Sequence, residues 1–442
     1  MRLIGVLRHA NALWLLPFLI AVDLSMIFLR DDHWVGVWPE TAVAAQMPAM
    51  FLAMLAAAYA AWTARREERL GLAEQLEASV RPRWQRELLG VASIAAVTVV
   101  AYCVGFVVAL ARTLPQSPPG FSLVPGYWLL GLFPMLAAVG AGWILGKYLP
   151  SAIAAVVAGI GGFLAFAYFG EIGGERIVVI SGYPDTHVDL FVVLTRVAAA
   201  VALCAVAILL PVRKPRSLRG AEQPSYPWAR PLVLVPACVV VMISVFALGR
   251  AAGPAIAERA AVDPLCRGDQ MKLCLWPEHE KYAPVVAEIS QRVEALPDIF
   301  VREEDVAWEY GLRYRVDRLD DGTVDLGDEE QGSSTFEIFD GSPGAITREI
   351  ARMISWRGYQ GECAREVDEA RDVTLRIDSW LEHYLAGGGS PGQIPAGDPE
   401  VGEQLQRGFD VANGDLSREE QFEWAEEQVE EYRSICPRDG QS

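Results

Sequence analysis

Between Thr347 and Met353 the chain reads TREIARM, and between Ser379 and Ala386 it reads SWLEHYLA. Arg348 and Arg352 are four residues apart, which on a helix places them one turn apart on the same face, with Glu349 beside them. Histidines at those two positions would offer neutral imidazoles to a Zn²⁺ ion. Glu349 would then stand where a general base is needed, and Glu382 would bring a third ligand from a second helix. Arginine cannot take that part, because a guanidinium stays protonated and has no lone pair. With two of three ligands gone, no metal is expected. His279, in Glu278-His279-Glu280, and His383, beside Glu382, each stand alone among carboxylates and are expected at the surface.

The spacing resembles the zinc-binding core of the gluzincin aminopeptidases, whose third ligand lies in a tryptophan-leucine-glutamate element like Trp380-Leu381-Glu382. That resemblance implies a peptidase-like domain that kept a peptide groove and lost its chemistry. The residues themselves support a simpler reading, which is preferred. Ile346, Ile350, Met353 and Ile354 form the buried stripe of an amphipathic helix, and Arg348, Glu349 and Arg352 form its solvated face, with Glu349 able to pair with either arginine. Elsewhere there is no Gly-x-Ser-x-Gly elbow, no phosphate-cradling GxxxxGK[ST] loop and no Ser-His-Asp order. The expectation is a protein that is not an enzyme and holds no cofactor.

The elements that carry these residues belong to a chain of 442 residues, 52% of them hydrophobic. That composition is too apolar for an ordinary soluble protein and points to a membrane protein. A span needs about 20 apolar residues, and windows of that kind occur near 11–29, 41–63, 88–112, 126–146, 150–170, 189–211 and 231–249, seven in all. The first has Asp23 inside it and a second span close behind, unlike a cleaved signal peptide.

The net charge of −18 is unevenly spread. Residues 251–442 hold 42 Asp and Glu against 19 Lys and Arg, whereas the first 250 hold 14 against 19. So acidic a segment would repel nucleic acid. Arginines collect in alternate loops: Arg65, Arg66, Arg69, Arg81, Arg83 and Arg86 after the second window, then Arg213, Lys214, Arg216, Arg219 and Arg230 after the sixth. By the positive-inside rule those loops and the N-terminus are cytoplasmic, and everything after Arg250 lies outside. The expected fold is thus a helical transmembrane bundle over 1–250 followed by an extracytoplasmic α+β domain over 251–442, in the cytoplasmic membrane of a bacterium with GC-rich DNA. Four of the seven cysteines, Cys266, Cys274, Cys363 and Cys436, fall in that second region, an even number that reads as two disulfides in an oxidising compartment. Three pairings are open; Cys266 with Cys274 and Cys363 with Cys436 is the first choice.

Within the spans, Asp23 and Arg196 fall at matching depths, and a charge pair between them is expected. Gly142 and Gly146, like Gly159, Gly161 and Gly162, suit close helix packing. Leu70, Leu72, Leu76 and Val80 suggest a short amphipathic helix in the loop between the second and third windows, ending before Pro82. An Arg-containing start, MRLIGVLRHANAL, then six spans with a cytoplasmic helix after the second, resembles the permease half of ABC-type exporters. The resemblance covers about residues 1–215, and the seventh span and outer domain depart from it. It implies an export or immunity system in which a separate ATP-binding subunit works through the cytoplasmic loop, with Arg65, Arg66 and Arg69 as contact residues. The other reading is a membrane-anchored sensor or ligand-binding protein that uses its outer domain. Expected partners are the lipid bilayer, that ATP-binding subunit and, as an open alternative, a second copy of the chain.

In the acidic region, DPLCRGDQMKLCLWP reads as a hairpin or a turn with one strand, the apolar arm being Met271–Trp276. An amphipathic helix follows, ending before Pro297. Two strands about Asp320–Gly322 and one at Thr335–Phe339 come next. Helices are then expected over Pro343–Trp356, Arg365–Leu385, Glu400–Ala412 and Ser417–Ile435, the last opened by a capping box of Ser417 and Glu420. The domain as a whole, with its CLWPEHEKYAPVVAEI run, is similar to C-terminal domains of permease-like membrane proteins from GC-rich bacteria, a likeness that implies no activity.

Overall fold

The computed structural model describes residues 12–29, 32–66, 70, 82–149, 151–164, 184–210, 255–260, 262–269, 271–300, 306–312, 335–338, 341–358, 363, 367–387 and 399–436. The chain divides into two compact units, Met1–Ala257 and Glu258–Ser442.

The first unit is helical. Its helices are α1 (Ala12–Phe28), α2 (Trp38–Gln46), α3 (Pro48–Ala64), α4 (Arg83–Thr113), α5 (Val124–Leu130), α6 (Leu132–Tyr148), α7 (Ser151–Val156, running into a π-helical turn at Val157–Gly161) and α8 (Leu190–Leu209). Four stretches are long and apolar enough to cross a membrane: Trp38–Ala64, Arg83–Gln116, Phe121–Tyr148 and Leu190–Leu209. Leu13–Phe28 and Ile153–Leu164 are shorter apolar helices, and the 231–249 window lies outside the described residues. Trp14, Phe18, Val100, Val107, Phe191 and Leu194 are exposed. An apolar exterior of this kind is what lipid requires, since helices satisfy their own backbone polar groups and need only apolar side chains outward.

Small residues draw the helices together. α3 and α6 pack closely because Gly142 lies on the backbone of Ala57 and Gly146 on the backbone of Ala61, so that a Cβ at either glycine would overlap a main-chain atom. The repeat of four on both helices is the small-xxx-small pattern. Gly159 approaches α3 at Ala58, whereas Gly162 has nothing within 4 Å, so the glycine cluster of this stretch packs at one position and not along its length.

The two ends of this unit are tied differently. At one end, Trp38 Nε1 donates to the Pro118 carbonyl (2.7 Å), Thr41 and Thr113 hydroxyls meet at 2.7 Å, and Tyr127 bonds Thr186 at 2.6 Å. Asp189 caps α8 by accepting from the Phe191 and Val192 amides, and its own amide donates to Ala255. The opposite end holds the charged residues described below.

The second unit joins a four-stranded sheet to five helices among the described residues. The strands β3 (Leu265–Arg267), β4 (Lys272–Leu275), β5 (Val306–Glu309) and β6 (Thr335–Phe336) lie in that order; β1 (Thr186–Val188) and β2 (Ile256–Glu258) form a separate pair. β3 and β4 form the expected hairpin, with Cys266 opposite Cys274. β4–β5 and β5–β6 are parallel, so β4, helix α9 (Ala283–Val293) and β5 make a crossover unit in place of another hairpin. The strands expected about Asp320–Gly322 lie outside the described residues.

The later helices are α10 (Pro343–Gly358), α11 (Asp368–Ala386), α12 (Pro399–Asn413) and α13 (Arg418–Ile435). Gly387, at φ +73°, ends α11 in the left-handed conformation that closes helices, and Arg292 Nη1 caps the Leu385 carbonyl there at 2.6 Å. Trp380, wholly buried, centres an aromatic cluster with Phe300, Tyr384, Phe422 and Trp424. Burial raises the pKa of the Tyr384 hydroxyl above its ordinary value. Disulfides join Cys266 to Cys274 and Cys363 to Cys436, while Cys103 and Cys204 are free thiols.

Candidate functional site

A polar cluster of the helical unit is built around Lys147, near the end of α6, whose side chain has no exposed surface. Its Nζ donates to the carbonyls of Ala207 (2.6 Å) and Leu210 (2.9 Å) and pairs with Glu87 Oε2 at 3.1 Å. The last carbonyls of α8 have no partner within their own helix, and the ammonium satisfies them while complementing the helix dipole. Glu87, one turn into α4, also accepts from Trp143 Nε1 (2.6 Å) and pairs with Arg83 (3.2 Å). Arg65, just past α3, donates to the Leu149 carbonyl at 3.1 Å and so caps α6. Five charged or polar side chains thus tie the ends of α3, α6 and α8 to the start of α4. The three donors of a compact ammonium serve two carbonyls and a carboxylate together. The one signal in the sequence is that Lys147, between the 126–146 and 150–170 windows, is one of four lysines in a chain that otherwise relies on arginine.

Of the residues expected to meet an ATP-binding subunit, Arg65 is committed to this cap, Arg66 is half-buried and Arg69 lies outside the described residues. The intramembrane pair is corrected. Asp23 and Arg196 are both buried, but both carboxylate oxygens of Asp23 are without a hydrogen-bond partner among the described residues, so Arg196 does not neutralise it. Asp23 is instead packed against Gly105 of α4, at a place where a Cβ would strike its carboxylate. Matching depth along two spans says nothing of which faces the helices turn to each other, and α1 turns this face to α4.

In the second unit, Ile346, Ile350, Met353 and Ile354 are buried as the amphipathic reading requires. Arg352 pairs with Glu349 at 3.2 Å, and Arg348 reaches across to Glu382 on α11 at 3.1 Å. The two helices therefore do bring the residues of TREIARM and SWLEHYLA together, with a guanidinium filling the space between them. The arrangement is an ion-paired, partly exposed helix seam with nothing to hold a metal, and no cluster of metal-ligating residues occurs among the described residues.

Both histidines expected at the surface are buried. His279 Nδ1 lies 2.5 Å from Glu309 Oε1, and Glu309 Oε2 accepts from the Trp276 amide at 2.9 Å. Arg259 lies over the Trp276 ring and pairs with Glu278 at 2.7 Å. This carboxylate–imidazole pair would orient a proton-transferring histidine, but both side chains are buried, and the pair fastens the turn after β4 to β5. His383 Nδ1 meets the Ser379 carbonyl at 2.6 Å, one turn back on α11, with its ring edge-on to Phe409. Adjacent carboxylates in the sequence misled here, because Glu278 is itself buried in an ion pair with Arg259 and Glu382 pairs with Arg348 on another helix.

No protein-family model matches this chain, and neither a curated protein nor a solved structure is significantly similar to it. The site must be judged on its own geometry.

Proposed function

We propose that this chain is the permease-like membrane subunit of an ABC-type export or immunity system in a bacterial cytoplasmic membrane. It crosses the membrane seven times, has its N-terminus inside and presents residues 251–442 outside, while a separate ATP-binding subunit does the energetic work. The observation that carries the topology is the path of the chain around α8. Leu210, at the last turn of α8, lies in the Lys147 cluster, whereas the amide of Asp189, at the first turn, is bonded to Ala255. The chain leaves α8 at one end and is next found at the other, roughly 30 Å away for 20 helical residues. Residues 211–254 lie outside the described residues, and we assign the return across the membrane to the apolar 231–249 window of the sequence.

The end from which it departs is the basic one, with Arg65, Arg66, Arg83, Arg86 and Lys147. A partner pressing on the loop between α3 and α4 would find that loop anchored at both roots in the Lys147 cluster, which joins four helices. Coupling of this kind needs a rigid element to carry displacement, and a satisfied buried polar network provides one. The oxidised cysteine pairs agree with an outer location for the second unit.

The test is affinity capture of the full chain from native membranes. Recovery of an ATPase that is lost when Arg66 and Arg69 are reversed to Glu, with the chain still folded, supports the reading. Failure to recover any ATPase defeats it and leaves the outer unit as a membrane-anchored receptor.

A further inference from the structure

We infer that Asp23 is a proton-binding site inside the helical bundle, and that its carboxyl group exchanges that proton. Asp23 lies eleven residues into α1, in a helix that otherwise carries no charge. Its side chain is wholly buried, and neither carboxylate oxygen has a hydrogen-bond donor among the described residues. The surroundings have been shaped for it. Gly105 leaves a recess on α4 that any larger residue would fill. The Tyr102 hydroxyl, on the turn of α4 before Gly105, donates to the Trp128 carbonyl at 3.1 Å, with its ring stacked on Trp128.

An ionised carboxylate in such a place lacks what makes burial tolerable, having among the described residues no counter-ion, no side-chain donor and no exposed edge. The neutral acid is the form that fits. The helices packed on α1 are α4, α3 and α2. Their ionisable groups are Tyr102 and Cys103 beside the carboxyl, Arg83, Arg86, Glu87 and Arg112 toward the ends of α4, Tyr59 on α3 and Glu40 on α2; none of them bonds Asp23. A metal cation is a poor occupant, since it would need several ligands and no cluster of metal-ligating side chains includes Asp23 among the described residues.

A buried acid serving only to pack would be replaced by leucine at a gain in stability, whereas an exchangeable proton at this depth is the chemistry of a proton relay or proton-coupled carrier. The inference needs α1 to lie in the bilayer but does not depend on an ATP-binding partner.

The test uses the full chain in liposomes with dicyclohexylcarbodiimide, a lipid-soluble reagent that adds a carboxylic O–H across one of its C=N bonds. The resulting O-acylisourea rearranges to a stable N-acylurea on the same carboxyl, all atoms of both reactants being retained. Mass spectrometry of the peptides is expected to place the adduct on Asp23, with yield falling about tenfold per pH unit above its midpoint. D23N, which keeps the shape, is expected to give none there. Absence of an adduct on Asp23 in the wild-type chain overturns the inference. So does an adduct that ignores pH, which would mean a locked proton, and so does protection by sodium at constant pH, which would mean a cation site. Loss of ATPase capture alone would leave the labelling result standing.

Discussion

A lysine with no exposed surface is stable only while its partners stay in place. Lys147 serves the terminal carbonyls of α8 and the carboxylate of Glu87 together. Truncation to alanine leaves the carbonyls unsatisfied and takes from the partly buried Glu87 one of its three partners, a loss of about 3 kcal/mol, at the low end for a buried pair broken from one side. The expected outcome for K147A in detergent is a markedly lower melting temperature. K147M with E87Q should recover part of the loss, because the glutamine still accepts from Trp143 and no charge is stranded. If K147A melts with the wild type, the cluster does not hold the helix ends. Arg348 and Glu382 sit at the other extreme, an ion pair with substantial exposure, where E382Q should change stability by less than about 1 kcal/mol.

Glycine placement makes predictions at the scale of whole helices. A leucine at Gly142 must push α6 away from the backbone of α3, whereas an alanine at Gly162 meets nothing within 4 Å. G142L should therefore lose the folded monodisperse state on size-exclusion chromatography, and G162A should elute and melt as wild type. Equal tolerance at both sites would show that α3 and α6 do not pack through this seam. In the second unit, Ser417 and Glu420 close the capping box that opens α13, the Ser417 amide donating to Glu420 at 2.7 Å. That bond holds the Glu420 carboxyl below its ordinary pKa. A depressed folded pKa stabilises above the unfolded value of about 4.3 and loses that contribution as pH falls through the folded one. Ser417→Ala should cost about 1 kcal/mol. E420Q should flatten the acid side of the stability profile below about pH 4, and an unchanged profile would remove Glu420 from the cap.

These elements also show how much could be read beforehand. Four late helices were visible because each carries its own period and its own start or stop, and α13 begins where its capping box says it should. The apolar windows became helices for the same local reason wherever residues are described. What could not be read is pairwise. Parallel pairing of β4 with β5 depends on which strand α9 returns beside, and the burial of His279 depends on Glu309, thirty residues further along. Asp23 likewise meets Gly105 and not Arg196, since composition along a span carries no information about the azimuth of its neighbours.

For the molecule as a whole, everything functional turns on which side of the membrane each part occupies. The proposed topology, with basic loops inside and the acidic unit outside, rests on the charge asymmetry and the cysteine pairs, by two different physical routes: translocation cost and redox compartment. Two exposed leucines allow the sides to be compared within one protein, Leu416 between α12 and α13 and Leu70 in the loop between α3 and α4. With L416C, a membrane-impermeant maleimide should label intact cells at once; with L70C, labelling should wait for permeabilisation. The native thiols interfere little, because four are in disulfides, Cys204 is buried, and Cys103 and Cys238 lie within apolar windows. The reverse pattern would put the arginines outside and the disulfides in a reducing cytoplasm. An ATP-binding partner could then no longer reach the loop that joins α3 to α4, and the permease reading would have to be abandoned.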